Sequence, residues 1–208
     1  MTEKQRAAQA VELLKKDYPD AICSLNYSDP FHLLVATRLA AQCTDARVNM
    51  VTPALFEKFP APADFAEAEI SDVEELIKTC GLYKTKAKDL VALGKKLTEI
   101  FGGKVPDTME ELTSLPGIGR KTANLIIGDV YGKPAVVTDT HFIRICNRLG
   151  FVDTKQPEKV ERIMSELLDP AESNDFCHRT VLHGREICTA RKAYCERCSL
   201  ADICKKNI

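Results

Sequence analysis

The chain has 208 residues, 45% hydrophobic and 28% charged, a globular composition long enough for one large domain or two small ones. Its net charge of −1 excludes a polycation, so any attraction to nucleic acid must come from a local field. No run approaches the roughly 20 apolar residues of a membrane span. The opening MTEKQRAAQAVELLKK mixes charges with apolar residues at helical spacing, unlike a secretory leader, so a cytoplasmic protein with reduced thiols and no membrane partner is expected.

Thr2 with Gln5 makes a capping box ahead of a helix to about residue 16. Asp29-Pro30 supplies an N-cap and a proline at the first helical position, opening FHLLVATRLAAQ. Thr44 or Asp45 starts another helix, which Pro53 is expected to kink or split. Ser71 with Glu74 reads as a second capping box, with Gly81 as the stop. A helix over about 83–101 ends at Gly102-Gly103, and Asp107 is the expected cap of a short helix reaching Leu115. A helix over about 120–131 follows, then helices over about 140–149, 157–168 and 174–187. The one strand-like run, 135–137, is too short for a sheet, so the fold is all-α.

Between two of these helices lies LTSLPGIGRKTANLIIG, residues 112–128. Gly117 and Gly119 expose backbone N–H groups at the positive end of the following helix, where a phosphate can bind without its sequence being read. Leu115 and Ile118 would pin the hairpin to its helices. An ordinary αα-corner uses the same residue types. Lys121 stands in the first turn beside Arg120, a poor place for a second cation. That position and any partial burial favour the neutral amine, which is a nucleophile able to form a Schiff base with a carbonyl carbon. A solvated lysine contacting phosphate is the other reading. Asp139, in VVTDTH, precedes a predicted helix and is either its N-cap or a carboxylate serving the reacting lysine. His141 and Thr140 are candidates for its support, and a structural histidine is equally compatible.

Nine cysteines occur. Five are scattered singly and read as buried small side chains. Cys188, Cys195, Cys198 and Cys204 are clustered as C-x6-C-x2-C-x5-C. Only one C-x2-C is present, where zinc ribbons pair two, and an iron–sulfur cube accepts more varied loops; the spacing favours iron–sulfur and leaves zinc open. From Arg185 to Ile208 there are six Lys/Arg against three Asp/Glu, a local positive patch that includes Arg191 and Lys192.

RLAAQCTD (38–45), CGLYKTKA (80–87), LPGIGRKTAN (115–124), TDTH (138–141), HGR (183–185) and the cysteine spacing together resemble the endonuclease III family, the helix-hairpin-helix DNA glycosylases with abasic-site lyase activity. The resemblance spans nearly the whole chain. It implies a domain of six central helices at 24–133 and a discontinuous domain, 1–23 with 134–208, carrying a [4Fe–4S] cluster on the four clustered cysteines. Duplex DNA with damaged or abasic sites would lie across the cleft between them, bound by a monomer. By resemblance, Lys121 is the nucleophile and Asp139 its partner, acting on oxidised pyrimidines such as thymine glycol. By the same resemblance Gln42 looks like the side chain that fills the space of the extruded nucleotide and Leu82 like a wedge beside the unpaired base; from the residues alone they read as a polar helix end and a core contact. Further DNA contacts fall on Leu115, Gly117, Gly119, Arg120, Thr122, His141, Arg144, Arg191 and Lys192.

Lys121 separates the chain from the adenine-mismatch relatives, which usually lack it and carry a further C-terminal domain; with the sequence ending at Ile208, none is expected. Two departures from the family pattern are Thr138 before Asp139, where an apolar residue is usual, and Glu186 ahead of Cys188. Other readings are a non-catalytic DNA-binding module and an iron–sulfur redox protein.

Overall fold

The computed structural model describes residues 1–207. Among them every regular element is helical, and the only strand-like pairing is an isolated bridge between Cys188 and Ala193. No helix among the described residues is long and apolar enough to cross a membrane. The chain forms two compact units, Met1–Cys23 with Gly132–Ile208, and Ser24–Tyr131.

The continuous unit holds α2 (Pro30–Ala40), α3 (Asp45–Lys58), α4 (Pro62–Glu67), α5 (Ile70–Ile77), α6 (Tyr83–Phe101), α7 (Met109–Ser114) and α8 (Arg120–Asp129). Helix α6 is its axis, packed by α2, α4 and α5, while α8 lies on α2 and α7. Leu33, Leu34, Leu39, Leu55, Phe65, Ile77, Leu90 and Leu93 are fully buried. Each such side chain contributes roughly 1.5–3 kcal/mol of transfer free energy.

Local chemistry sets the helix ends. The Asp29 carboxylate accepts the His32 N–H at 2.9 Å to cap α2. Helix α2 stops at Ala40, two residues short of Gln42, which takes a left-handed backbone with φ 54°. Pro53 does not split α3, which runs on across it. Helix α4 was not expected: Pro62 opens it and the Asp64 carboxylate accepts the Ala61 N–H at 2.8 Å. It makes seven α-helices here rather than six. The Ser71–Glu74 capping box does not form, because α5 already starts at Ile70 and the Glu69 carbonyl accepts the Asp72 N–H at 3.0 Å. Thr108, not Asp107, caps α7; its hydroxyl stands three residues before Glu111, accepting that N–H at 3.3 Å and donating to the Glu111 carboxylate at 2.7 Å.

The discontinuous unit holds α1 (Glu3–Asp17), α9 (Thr140–Leu149), α10 (Pro157–Leu167) and α11 (Ser173–Glu186), with short 3₁₀ turns at Pro170–Glu172 and Cys195–Arg197. The Thr2–Gln5 capping box opens α1. Helix α11 packs on α9 and α1, with Phe142 and Phe176 edge to face at 6.1 Å. Residues 135–137 pair with no strand. The Ala135 N–H instead donates to Ser173 Oγ at 3.2 Å and the Val137 N–H to Cys177 Sγ at 3.2 Å, which holds the extended segment along α11.

Arg6 fastens the two ends of this unit together. Its buried guanidinium donates to the carbonyls of Leu149 at 2.5 Å, Ile203 at 3.1 Å and Gly150 at 3.2 Å. It lies 4.1 Å from the Phe151 ring centre and is ion-paired with Glu3. One side chain thus ties α1 to the end of α9 and to the last cysteine turn.

Candidate functional site

The hairpin between α7 and α8 is held from below and bare on top. Leu115 is 2% and Ile118 6% exposed, anchoring the turn, whereas Gly117, Gly119, Arg120 and Lys121 are exposed. Leu115, expected among the DNA contacts, is therefore a packing residue whose side chain does not reach the surface. Gly117 has φ 72°, and a Cβ there would stand 2.5 Å from Arg38 Nε and 3.0 Å from the Asp89 carboxylate. Those two side chains form a part-buried ion pair with Arg38 Nε to Asp89 Oδ2 at 2.9 Å. The glycine is thus demanded both by the left-handed turn and by the pair beneath it.

Gly119 is the N-cap of α8, so Arg120, Lys121 and Thr122 form its first turn. The helix's own bonding begins with the Ala123 N–H on the Gly119 carbonyl at 3.0 Å, and the N–H groups of Lys121 and Thr122 stand outside that ladder. The Lys121 side chain is exposed in the unit that carries it, not partly buried.

Gln42 and Leu82 lie on neighbouring loops of the same unit. Both are exposed, Leu82 by 57%, and both hold left-handed backbone, φ 54° and φ 59°. The loops touch at Gly81, where a Cβ would stand 3.0 Å from the Gln42 carbonyl oxygen. Gly81, expected as a helix stop, instead permits this contact. Below them Lys86 is completely buried and donates to the Leu39 carbonyl at the end of α2, at 2.7 Å. Burial pushes its amine down from the ordinary lysine value. Lys86 was not singled out from the sequence, because a lysine in an otherwise amphipathic helix gives no sign that its charge is spent on a distant carbonyl.

In the other unit, Asp139 is half-buried and caps α9, its Oδ1 accepting the Phe142 N–H at 2.7 Å. His141 Nδ1 lies 3.1 Å from Arg144 Nη2, and burial pulls the imidazole below its ordinary value. Arg144, expected to contact DNA, is half-exposed and bonds inward through Nη2, which donates to Gly184 O at 2.9 Å and to Cys188 O at 3.0 Å. One turn further, Arg148 Nη1 donates to Thr189 O at 2.7 Å and to Cys188 Sγ at 3.2 Å. Arg191 and Lys192 are exposed, with the Lys192 amine 4.7 Å from the Tyr194 ring centre.

Cys188, Cys195, Cys198 and Cys204 line one hollow together with Arg148 and Ile187, about 330 Å³ including its open mouth. All four are half-buried and none is in a disulfide. Among the described residues no group of His, Cys, Asp or Glu converges on a single metal ion. The thiols surround a space rather than meeting at a point. His183 borders this region, 1% exposed, with Nε2 3.5 Å from Cys198 Sγ and Tyr18 edge-on at 6.1 Å; burial pushes its imidazole down to about 4. Of the five scattered cysteines, Cys80, Cys146 and Cys177 are buried as expected, but Cys23 and Cys43 are half-exposed.

Residues 35–170 match the family model described as the HhH-GPD superfamily base excision DNA repair protein. Endonuclease III of Synechocystis sp. is 45% identical over 98% of this chain and 93% of its own length. Endonuclease III of Escherichia coli is 38% identical over 97% of this chain and 96% of its own. Among solved structures, a trapped endonuclease III–DNA covalent intermediate, an estranged-adenine complex, superposes with a TM-score of 0.93 at 38% identity, covering 99% of this chain and 97% of that one. A non-covalent endonuclease III–DNA complex superposes with a TM-score of 0.92. A glycine-tight hairpin with a lysine in the next helical turn, an all-helical fold and whole-chain similarity at this level place the chain in the endonuclease III family of the HhH-GPD superfamily of base excision DNA repair proteins.

Proposed function

We propose that the chain is a bifunctional DNA glycosylase and abasic-site lyase of base excision repair. It acts as a monomer on duplex DNA and removes oxidised pyrimidines of the thymine glycol type. The observation that carries this reading is an exposed lysine in the first turn of α8, directly after a backbone hairpin fit to hold a phosphate. The N–H groups of Gly117, Gly119 and the first turn of α8, with Arg120 and Thr122 beside them, grip the strand through its phosphates. That grip sets position without reading sequence.

The damaged nucleotide has to leave the stack before its C1′ can be reached. Gln42 occupies the gap and Leu82 stands against the widowed base, on two loops whose backbones are already set in the left-handed region. The Lys121 amine attacks C1′, and the glycosidic bond breaks with its electron pair leaving on the base. Asp139 stabilises the positive charge on the sugar and receives the proton the amine sheds. Opening of the sugar gives a Schiff base. Loss of a C2′ proton then expels the 3′ phosphate and cuts the strand 3′ to the lesion. His141 supports Asp139 from the first turn of α9, while Arg191 and Lys192 add backbone contacts from the cysteine loop.

The four clustered cysteines fit a [4Fe–4S] cluster, because a cube takes one thiolate at each of four separated irons and these thiols ring a hollow. Bound there, the cluster supplies iron–thiolate bonds that brace the loop. Arg148 orients Cys188 by its bond to the sulfur, and Arg144 fixes the Cys188 carbonyl.

A duplex carrying one thymine glycol, incubated with the protein and borohydride, tests the reading. It predicts a covalent protein–DNA adduct and, without borohydride, a nick 3′ to the lesion. Salt-sensitive binding with neither adduct nor nick on any oxidised pyrimidine would leave a DNA-binding module and no enzyme.

A further inference from the structure

A second pair of thiols lies under the loops of Gln42 and Leu82. Cys43 follows Gln42 directly, its N–H bonded to Ala40 O at 3.1 Å, and Cys80 precedes Gly81-Leu82, its N–H bonded to Ile77 O at 2.8 Å. The two loops abut at the Gly81–Gln42 contact of 3.0 Å. Burial first, and then Cys43 beside it, push the Cys80 thiol up to about 11. Cys80 is 1% exposed, whereas Cys43 is half-exposed and open to a small solute. The buried Lys86 and, after it, Arg47 offset only part of that rise at Cys80. None of this is used by the lesion chemistry.

We infer that Cys43 and Cys80 are a redox modification site, oxidised by hydrogen peroxide to a reversible disulfide that ties the Gln42 loop to the Leu82 loop. Cys43 is the thiol that meets the oxidant. Its sulfur attacks the O–O bond, one oxygen stays as sulfenic acid, and the other leaves as water with the thiol proton. The Cys80 sulfur then attacks Cys43 Sγ. The S–O bond breaks, and the departing hydroxide takes the Cys80 proton to leave as a second water. Two thiols are oxidised by two electrons and one peroxide is reduced.

Sulfurs joined in a disulfide stand about 2.05 Å apart, closer than two unbonded sulfurs come. The loops are therefore drawn together. Both already hold left-handed non-glycine residues, so they have little slack to absorb the change. The consequence for DNA rests on the reading of Gln42 and Leu82 as residues that enter the duplex: oxidation weakens lesion binding and cleavage until a thiol reductant restores them.

The experiment uses the iron-loaded full chain, treated with hydrogen peroxide and mapped by proteolysis under non-reducing conditions. The expected product is a linked Cys43–Cys80 peptide pair, lighter by two hydrogens, which disappears with dithiothreitol and does not form in Cys43→Ala. Both thiols staying free, Cys43 passing to sulfinic acid unlinked, or Cys43 pairing elsewhere would overturn the inference. In parallel, the oxidised chain should lose most of its cleavage of a thymine glycol duplex and regain it with dithiothreitol, while Cys43→Ala, exposed to the same peroxide, keeps it. Equal losses in both proteins would trace to the cysteine hollow and overturn the functional half. A chain that fails to cleave before oxidation sinks the glycosylase reading alone, because the peptide map does not depend on it.

Discussion

The hairpin of α8 and the cysteine hollow are both built around exposed chain with little regular structure, yet they are held in opposite ways. The hairpin is fixed by its own neighbours in sequence, Leu115 and Ile118, and by one part-buried ion pair beneath Gly117. Its polar groups point outward and Lys121 is exposed. The hollow is fixed from remote places. Arg148 and Arg144 reach it from α9, and Arg6 reaches the adjoining turn from α1. Arg148, Arg144 and Arg6 are spent on carbonyls and sulfur, while Arg191 and Lys192 on the loop itself are exposed. A region that does chemistry keeps its reactive side chain free on a rigid turn, whereas a region that braces spends its charges internally.

Lys121→Gln separates the two regions most sharply. The covalent step should fall by at least about a thousandfold, since a carboxamide cannot form the Schiff base. The thermal melt should stay unchanged, because the side chain is exposed. Arg6→Ala should act in the reverse sense. Three carbonyls lose the guanidinium donor, two of them in buried contacts, so the unit should lose about 2–4 kcal/mol by denaturant titration, and iron content should drop with it.

Gly117→Ala should cost less, about 1–3 kcal/mol, through a strained φ and the Arg38–Asp89 pair that must shift. Its signature should be weakened binding to undamaged duplex with iron content intact. The smallest effect concerns Glu172. Its carboxyl is held below the ordinary 4.5 first by the hydrogen bond from Lys15 and then by that from Arg179. A depressed carboxyl stabilises the fold above its unfolded value, and that contribution is lost as pH falls through the lowered one. Melting temperature should therefore decline with acidification below 4.5 more steeply than in Glu172→Gln, which at neutral pH should differ by no more than about 1 kcal/mol.

The helix ends show where sequence reading succeeds. Thr2 with Gln5, Asp29-Pro30, Gly102 and Gly150 each act within one turn of themselves, and each ends or begins a helix as its chemistry dictates. Asp107 and Ser71 are not the caps because their helices start at other residues: the Thr108 hydroxyl caps α7, and α5 begins at Ile70 after Glu69, which makes no side-chain cap. The supports of the candidate sites were not legible at all. Arg6 bonds a carbonyl 143 positions away, Arg148 a sulfur 40 away and Lys86 a carbonyl 47 away. Nothing local distinguishes a cation so employed from a solvated one. The exposed Gly117–Lys121 turn was legible because its constraints are local: a positive φ, a tight corner and a helix start.

The central claim is that the chemistry belongs to Lys121 and the cysteines only brace. Borohydride trapping on a duplex with a single abasic site, followed by proteolysis and mass mapping of the adduct, tests it directly. The account predicts one modified peptide, with the deoxyribose remnant on Lys121. An adduct on any other amine, or undiminished trapping in Lys121→Gln, would contradict it.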